Sequence, residues 1–411
     1  MRILIVSQYF WPESFRINDL VKSLAERGYF VEVLTGKPNY PEGKFFAGYS
    51  IWGVGKELWN NISVHRIPVL PRGSKSGLKL ILNYLSFVLS GLLIAPWLLR
   101  NKKYDVIFVY APSPIFQAIP ASFLGWLKGV PVVLWVQDLW PQSAEATGYV
   151  KSSWVLKILE KLVRFTYSHT DLLLVQSEAF IQPVSKLAPN IPVAYFPNSV
   201  EKEFYSPQVI DAPKIESLQS GFKVLFAGNV GSAQAMETIV VAAERLNAYP
   251  EIKIVILGSG SKEDWVAQQV IDKKITNLYL EGRFPVETMP VLMRQASVLL
   301  VTLTNQPIFE LTIPSKIQAY LAVGKPIIAC LNGEGARLIT EARAGIAVSA
   351  EDDEGLAQAI VKLYQMSEAE RGQMGVNGRA YFKQHFDEEM LTAELIKHFE
   401  TLIEKNIKDN H

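Results

Sequence analysis

Nine short runs of β-forming apolar residues, each followed by a stretch of helical periodicity, restrict this chain more than any other feature. They are RILIV from position 2, FVEVLT from 30, DVIFVY from 105, VPVVLWV from 130, DLLLVQS from 171, FKVLFAG from 222, IKIVILG from 252, VLLVTL from 298 and PIIAC from 326. Continuous apolar runs of this length, separated by helices, belong to parallel strands covered on both faces. The pattern predicts an α/β protein. It pauses once, between Pro197 and Gly221, where two prolines, several acids and no sustained period precede ESLQSG. That pause divides the chain into two doubly wound, Rossmann-like halves: residues 1–198, a linker over 199–220, and residues 221–385. Ligands of such sheets bind beyond the carboxyl ends of the strands, so two facing sheets would enclose a cleft. The amphipathic tail, 386–411, has the length to pack back across the junction.

A chain of 411 residues is long for one core, in agreement with two domains. Forty-one basic residues against 40 acidic ones leave a net charge of +1, so no global field is available to hold nucleic acid. The single cysteine, Cys330, excludes an internal disulfide, and its apolar surroundings suggest a buried thiol in a reducing compartment. Five histidines, at 65, 169, 385, 398 and 411, show no spacing suited to zinc, so no metal site is expected. The opening apolar run is too short for a signal-peptide core, which predicts a cytoplasmic protein. Leu80–Leu99 carries no charge and is flanked by Arg72, Lys75 and Lys79 before it and Arg100, Lys102 and Lys103 after it. Its length suits a bilayer span. However, Asn83, Ser86, Ser90 and Pro96 interrupt it and DVIFVY follows at once, which favours a buried or surface-docking helix. The basic flanks would attract an anionic leaflet, making the membrane surface a candidate partner.

The segment ELTIPSKIQAYLAVGKPII, 310–328, concentrates the chemistry. Pro314 suits a helix start, Ser315 offers a hydroxyl there, and the helix dipole favours an anion such as a diphosphate. Lys316 adds a full positive charge beside it. Earlier in this half, FAGNVGSAQAMETI reads as strand, glycine turn and helix, so Gly228, Asn229 and Gly231 would let backbone N–H groups face a phosphate. LGSGSKED has the same form, although glycine there serves geometry alone equally well. Arg283, just past a strand, suits either a diphosphate contact or a surface ion pair.

In the first half, Arg16 and Asn18 follow the opening strand and are placed to grip a phosphate or sugar hydroxyl, unless the loop is simply solvated. GKPNYPEG, containing Asn39, is a shaped loop on the same edge. In VQDLWPQSAE, Asp138 sits where a carboxylate would act as a base or bind a hydroxyl, with helix capping as the alternative. Glu145 follows it.

Together these motifs resemble family 4 glycosyltransferases of the GT-B fold. The opening strand and loop, PNSVEKEFYSP, FAGNVGSAQAMETI and the 310 segment carry the resemblance across most of the chain. The family signature places two acids eight positions apart. Here Glu310 occupies the first position, implying a donor-sugar contact, and Gln318 the second, implying a weaker, uncharged contact to ribose. The family's arginine and lysine at the diphosphate fall on Asn229 and Gln234, which moves the charge requirement to Lys316 and Arg283. The family's cleft histidine appears as Gln137. SQYFWPE, GKPNYPEG, QDLWPQS and IPSKIQAYLA are similar to the transferases of N-acetyl-L-fucosamine that build O-antigen and capsule units.

The resemblance implies a UDP-sugar donor and no cofactor. Asp138, Glu310 and Lys316 would be catalytic, and Gly228, Asn229, Gly231, Arg283, Ser315 and Gln318 would hold the donor. Arg16, Asn18, Asn39 and Glu145 would hold an undecaprenyl-diphosphate-linked sugar acceptor at the inner-membrane surface. A nucleotide-sugar epimerase and a non-catalytic subunit of a polysaccharide assembly complex are the alternatives.

Overall fold

A computed structural model describes residues 1–73, 77–146, 152–205 and 211–409, so Lys75 and the end of PNSVEKEFYSP lie outside the described residues. The chain forms two compact units, one of Met1–Pro197 with Glu388–His411 and one of Asn198–Asp387.

The first unit is built on eight strands: β1 (Arg2–Val6), β2 (Phe30–Gly36), β3 (Gly55–Trp59), β4 (Ile62–Ile67), β5 (Val106–Ala111), β6 (Val132–Val136), β7 (Leu172–Val175) and β8 (Val193–Tyr195). Their order is β3-β4-β2-β1-β5-β6-β7-β8, and every pair is parallel except the β3/β4 hairpin. That hairpin is absent from the nine apolar runs because β3 is only half-buried and carries mixed residues, and because the buried strand β4 contains Ser63, His65 and Arg66. Its turn is Asn60-Asn61, both at positive φ, which asparagine tolerates better than other side chains.

The helices of this unit are α1 (Ile17–Glu26), α2 (Gly77–Leu98), α3 (Ala118–Lys128), α4 (Gln142–Ala146), α5 (Ser153–Ser168) and α6 (Ile181–Leu187). The uncharged segment forms α2, and only its stripe of Asn83, Phe87, Gly91 and Ala95 is buried. A Cβ on Gly91 would come within 2.6 Å of the Pro120 ring, so glycine lets α2 lie close on α3. Asn83 anchors the stripe: its amide donates to the Leu70 carbonyl at 2.6 Å and accepts from Gln8 Nε2 at 2.7 Å.

The second unit has six strands, all parallel: β9 (Phe222–Ala227), β10 (Ile252–Leu257), β11 (Leu278–Gly282), β12 (Val298–Thr302), β13 (Ile327–Cys330) and β14 (Gly345–Val348). Around them run α7 (Met236–Arg245), α8 (Glu263–Asp272), α9 (Met289–Arg294), α10 (Pro307–Leu311), α11 (Ser315–Val323), α12 (Glu334–Glu341), α13 (Asp353–Gln365) and α14 (Glu368–His385). The strand order β11-β10-β9-β12-β13-β14 reverses direction between β9 and β12. A crevice at such a switch point is where doubly wound sheets bind ligands. Cys330 is fully buried on β13, and burial pushes its thiol up to about 11.

The segment expected as a linker instead contributes to this unit's core. Val200, Phe204, Ile215 and Leu218 are buried against residues of β9 and α11. Beyond it, α15 (Glu388–Asp409) belongs to the first unit, where Thr392 and Ser23 of α1 share a 3.1 Å hydroxyl contact. The Phe399 ring lies 5.6 Å from that of Phe108 in β5. Packing of this apolar face against the first unit stabilises the tail as a helix.

Candidate functional site

At the switch point of the second unit, three strand ends lie in contact. Gly228, after β9, donates its N–H to the Leu257 carbonyl at 2.8 Å, and Gly258, after β10, donates to the Gly282 carbonyl at 2.7 Å. A Cβ on Gly258 would lie 1.8 Å from the Gly228 oxygen, and one on Gly260 2.4 Å from the Val230 oxygen. The glycines of LGSGSKED therefore serve close backbone approach to the β9 turn. Because the Gly228 N–H is already bonded, its expected role as a phosphate donor is corrected. The N–H groups of Asn229 and Gly231 have no hydrogen-bond partner among the described residues. A Cβ on Gly231 would lie 2.4 Å from the Asn229 amide nitrogen, so glycine keeps this turn tight.

The loop after β12 closes the other side. Thr304 donates its N–H to the Ala233 carbonyl at 3.0 Å, and the Thr302 hydroxyl donates to the Gln234 carbonyl. Where β9 and β12 cease to pair, the Tyr320 hydroxyl from α11 takes over: it accepts from Ala227 N at 3.0 Å and reaches the Leu300 carbonyl at 3.2 Å. That bond fixes α11 against both strand ends. Pro314 enters the helix in an extended conformation, no side chain caps it, and Gly324 ends it in the left-handed region.

Lys316 is consequently carried onto the β9 turn. A Cβ on Gly228 would meet Lys316 Cε at 2.5 Å, so this glycine makes room for the lysine. The ammonium donates to Gln234 Oε1 at 2.6 Å and sits 3.8 Å from the centre of the Phe226 ring. No carboxylate pairs with it among the described residues. Burial pushes its pKa down to about 7, which corrects the expectation of a full positive charge: near neutral pH the unliganded protein holds only part of it. An anion placed here would restore the full charge, and the desolvated ammonium would interact with it more strongly than a surface lysine would.

Two positions further along α11, Gln318 is fully buried, and neither its Nε2 nor its Oε1 has a partner among the described residues. An orphaned buried amide costs about 1–3 kcal/mol, so a ligand that satisfies it recovers that energy. Ser315 is exposed at the first position of α11. Glu310 is exposed on α10, and its backbone abuts Gly333, where a Cβ would lie 2.0 Å from the Glu310 oxygen. Arg283 is exposed just past β11, with no ion pair among the described residues. The switch point thus brings Gly228, Asn229, Gly231 and Lys316 together, with Ser315 and Gln318 on the same helix. Gln234, Phe226 and Tyr320 complete this arrangement; all three lie inside motifs quoted from the sequence, but their contacts with Lys316 and with the ends of β9 and β12 arise between separate elements and could not be read from it.

In the first unit the loops after β1 and β2 are joined by Glu13. Its carboxylate accepts the N–H groups of Asn39 at 2.7 Å, Tyr40 at 2.8 Å and Phe10 at 3.2 Å. Burial raises its pKa to about 7 despite these bonds. Sequence reasoning passed over this residue. Two expected acceptor contacts turn out to brace the same loops. Asn18 accepts from Trp11 N at 3.1 Å and donates to the Glu13 carbonyl at 2.8 Å. Asn39 is buried, donating to the Lys37 carbonyl and accepting from Arg72 N, both at 2.9 Å. Short amides in turns commonly satisfy backbone groups in this way.

Arg16 precedes α1 and has a buried Nη1 without a partner among the described residues. Asp138, after β6, accepts the side-chain hydroxyl of Ser143 in α4. Burial still holds its carboxyl up at about 6. Glu145 is exposed on α4. Among the described residues no three His, Cys, Asp or Glu side chains group as a metal site.

Two family models match the chain. The one described as "Glycosyl transferase 4-like domain" matches residues 14–199, and the one described as "Glycosyl transferases group 1" matches residues 221–366. WcaI of Escherichia coli K12, assigned as a glycosyl transferase of colanic acid biosynthesis, is 26% identical over 341 residues, covering 79% of this chain and 82% of that protein. Among solved structures, sucrose-phosphate synthase of Thermosynechococcus elongatus matches with a TM-score of 0.74 at 15% identity, over 98% of this chain and all of that one (100%). HepE of Anabaena, solved with UDP, matches with a TM-score of 0.68 at 13% identity, over 98% of this chain and 100% of that one. An E. coli trehalose-6-phosphate protein bound to UDP-2-fluoroglucose matches with a TM-score of 0.72 at 15% identity, over 97% and 99% of the two chains.

Proposed function

Because this chain belongs to the family 4 glycosyltransferases of the GT-B fold, we propose that it moves N-acetyl-L-fucosamine from a UDP donor to a lipid-diphosphate-linked sugar during O-antigen or capsule synthesis. The observation that carries the donor half of this reading is the unpaired, half-buried Lys316 ammonium on the β9 turn, at the switch point where a nucleotide is expected. HepE and the E. coli trehalose-6-phosphate protein were solved with UDP or a UDP-sugar, which supports the choice of nucleotide. WcaI's assignment to colanic acid biosynthesis supports a polysaccharide acceptor.

In this reading catalysis is electrostatic. Negative charge grows on the departing diphosphate, and Lys316, Arg283 and the N–H groups of Asn229 and Gly231 stabilise it. Ser315 adds a hydroxyl at the uncapped start of α11. Glu310 orients the donor sugar, and Gln318 meets the ribose. Asp138, with a carboxyl near 6, is poised to take a proton from the acceptor hydroxyl, while Arg16 and Glu145 contact the acceptor. No cofactor is needed, since the donor brings its own leaving group. The acceptor would be an undecaprenyl-diphosphate sugar at the cytoplasmic side of the inner membrane, with the enzyme bound peripherally.

Calorimetry with UDP, GDP, dTDP and ADP tests the donor site. Selective UDP binding that is lost in Lys316→Ala is expected, and would be followed by a transfer assay with UDP-N-acetyl-L-fucosamine and a lipid-diphosphate sugar. Absence of binding at millimolar nucleotide would sink the proposal. A second expectation concerns Gln318→Leu, which removes two orphaned polar atoms at similar volume. The unliganded protein should melt at the same or a higher temperature, whereas the upward shift produced by UDP should shrink. Melts with and without UDP read both effects, and an undiminished UDP shift would remove Gln318 from the donor site.

A further inference from the structure

We infer that α2, α3 and α5 of the first unit form one face that lies in the interfacial layer of an anionic phospholipid bilayer. The inference rests on the lipid-linked acceptor reading and adds the surface and its mode of attachment. On α2 the stripe opposite the buried one is apolar along its whole length, running through Leu78, Leu85, Leu89, Leu93 and Trp97, all exposed; Leu93 is 76% and Trp97 63% accessible. On α5 the residues at 154, 158, 162 and 165 follow helical spacing, and all four, Trp154, Ile158, Leu162 and Phe165, are exposed. Between them, α3 packs against both helices and presents Trp126, 77% accessible, and Leu127. Exposed apolar surface of this extent marks an interaction site rather than ordinary protein surface.

Charge identifies the occupant. Neither α2 nor α3 contains an acidic residue, and α5 exposes Lys157, Lys161 and Arg164 beside its apolar stripe against a single acid, Glu160, which pairs with Arg164 at 2.8 Å. Arg100 extends the basic rim past the end of α2. A second copy of the chain would bring these cations against their own kind across a two-fold interface, whereas anionic headgroups neutralise them. Tryptophan at the edge of each helix stripe suits the headgroup boundary, where an indole has one apolar and one polar side.

The same contacts argue for lying on the bilayer rather than crossing it. Asn83 is fully buried in a network with Gln8 and the Leu70 carbonyl, and Gly91 is seated on Pro120. A spanning α2 would have to leave both, carrying an unsatisfied amide into hydrocarbon. In the docked arrangement only the already exposed stripe enters the membrane, as in an interfacial amphipathic helix.

Co-sedimentation of the full chain with phosphatidylcholine vesicles, with and without phosphatidylglycerol, tests this. The wild type is expected to sediment with phosphatidylglycerol vesicles and much less with phosphatidylcholine alone. The double variant Leu93→Glu, Trp154→Glu changes only exposed side chains and should lose binding by roughly tenfold or more, with its melting temperature and UDP affinity unchanged. A wild type that ignores anionic vesicles overturns the inference, as does a double variant that binds them equally. A wild-type dimer in sedimentation velocity that the variant dissociates, without vesicle binding, would assign the face to self-association instead. A water-soluble short-chain acceptor separates this inference from the reading beneath it. If vesicles bind but no sugar moves to that acceptor, only the transfer reading fails.

Discussion

Lys316→Met is expected to leave the protein far less active and more stable than the wild type. The folded chain holds this lysine at a pKa of about 7, against an ordinary value of 10.5, because burial disfavours the charged form. Between those values the unfolded chain binds the proton that the folded chain releases, so stability without ligand rises as pH increases from about 7 towards 10.5. At pH 8 that proton transfer costs the fold on the order of 3 kcal/mol, part of which is offset by the bond to Gln234. Methionine has a similar length and no charge to desolvate, so the variant should gain about 2 kcal/mol and lose the pH slope. Thermal melts across this pH range check the stability, and a flat wild-type profile would refute the buried-charge account.

Activity should move the opposite way. Loss of a preorganised cation at a developing diphosphate charge typically lowers turnover roughly 10²–10³-fold. UDP affinity in the wild type should also weaken as pH rises above about 7, because a dianionic ligand favours the protonated lysine and must recruit a proton to bind. Calorimetry in buffers of different ionisation enthalpy would detect that uptake. Its disappearance in Lys316→Met, with a fold that melts no lower, would tie stability and function to one nitrogen atom. Full activity in the variant would end the assignment of Lys316.

Gly258→Ala is the second large effect expected. Its Cβ would lie 1.8 Å from the Gly228 oxygen, and at a φ of 154° the backbone itself resists any side chain. The obstruction is backbone, which cannot swing aside as a side chain does. To admit a methyl group, the ends of β9 and β10 would have to separate, breaking the bond from Gly228 to Leu257. A loss of about 3 kcal/mol or more and absence of UDP binding are expected. Gly372→Ala supplies the contrast. It is exposed within α14, a Cβ there meets nothing within 4 Å, and alanine should stabilise by up to about 1 kcal/mol. Denaturant melts of the two variants decide whether close approach, rather than glycine content, governs this unit.

Each of the nine apolar runs appears as a strand, because a buried parallel strand needs uninterrupted apolar residues and few other structures of that length do. β3, β8, β11 and β14 were not legible, since half-buried edge strands carry mixed residues and resemble loops, and neither was β4, whose buried run is interrupted by Ser63, His65 and Arg66. The glycosyltransferase family was also legible, since turn motifs such as FAGNVGSAQAMETI are local, and local backbone requirements leave local marks. Asn18 and Asn39 show the limit of such reading. An amide in a loop has the same letter whether it meets a ligand or braces the chain, and here both brace it.

The layered α/β architecture, the division into two halves and the family can all be read from residue patterns, because each follows from neighbours within a few positions. Folding was needed to reveal that the 199–220 segment joins a core, that the last helix belongs to the first unit, and that Lys316 lies over Phe226 with no carboxylate partner among the described residues. Those features depend on burial and on partners distant in sequence. Burial is also what moves a lysine to about 7, so the charge at the site is a property of the fold and not of the residue type.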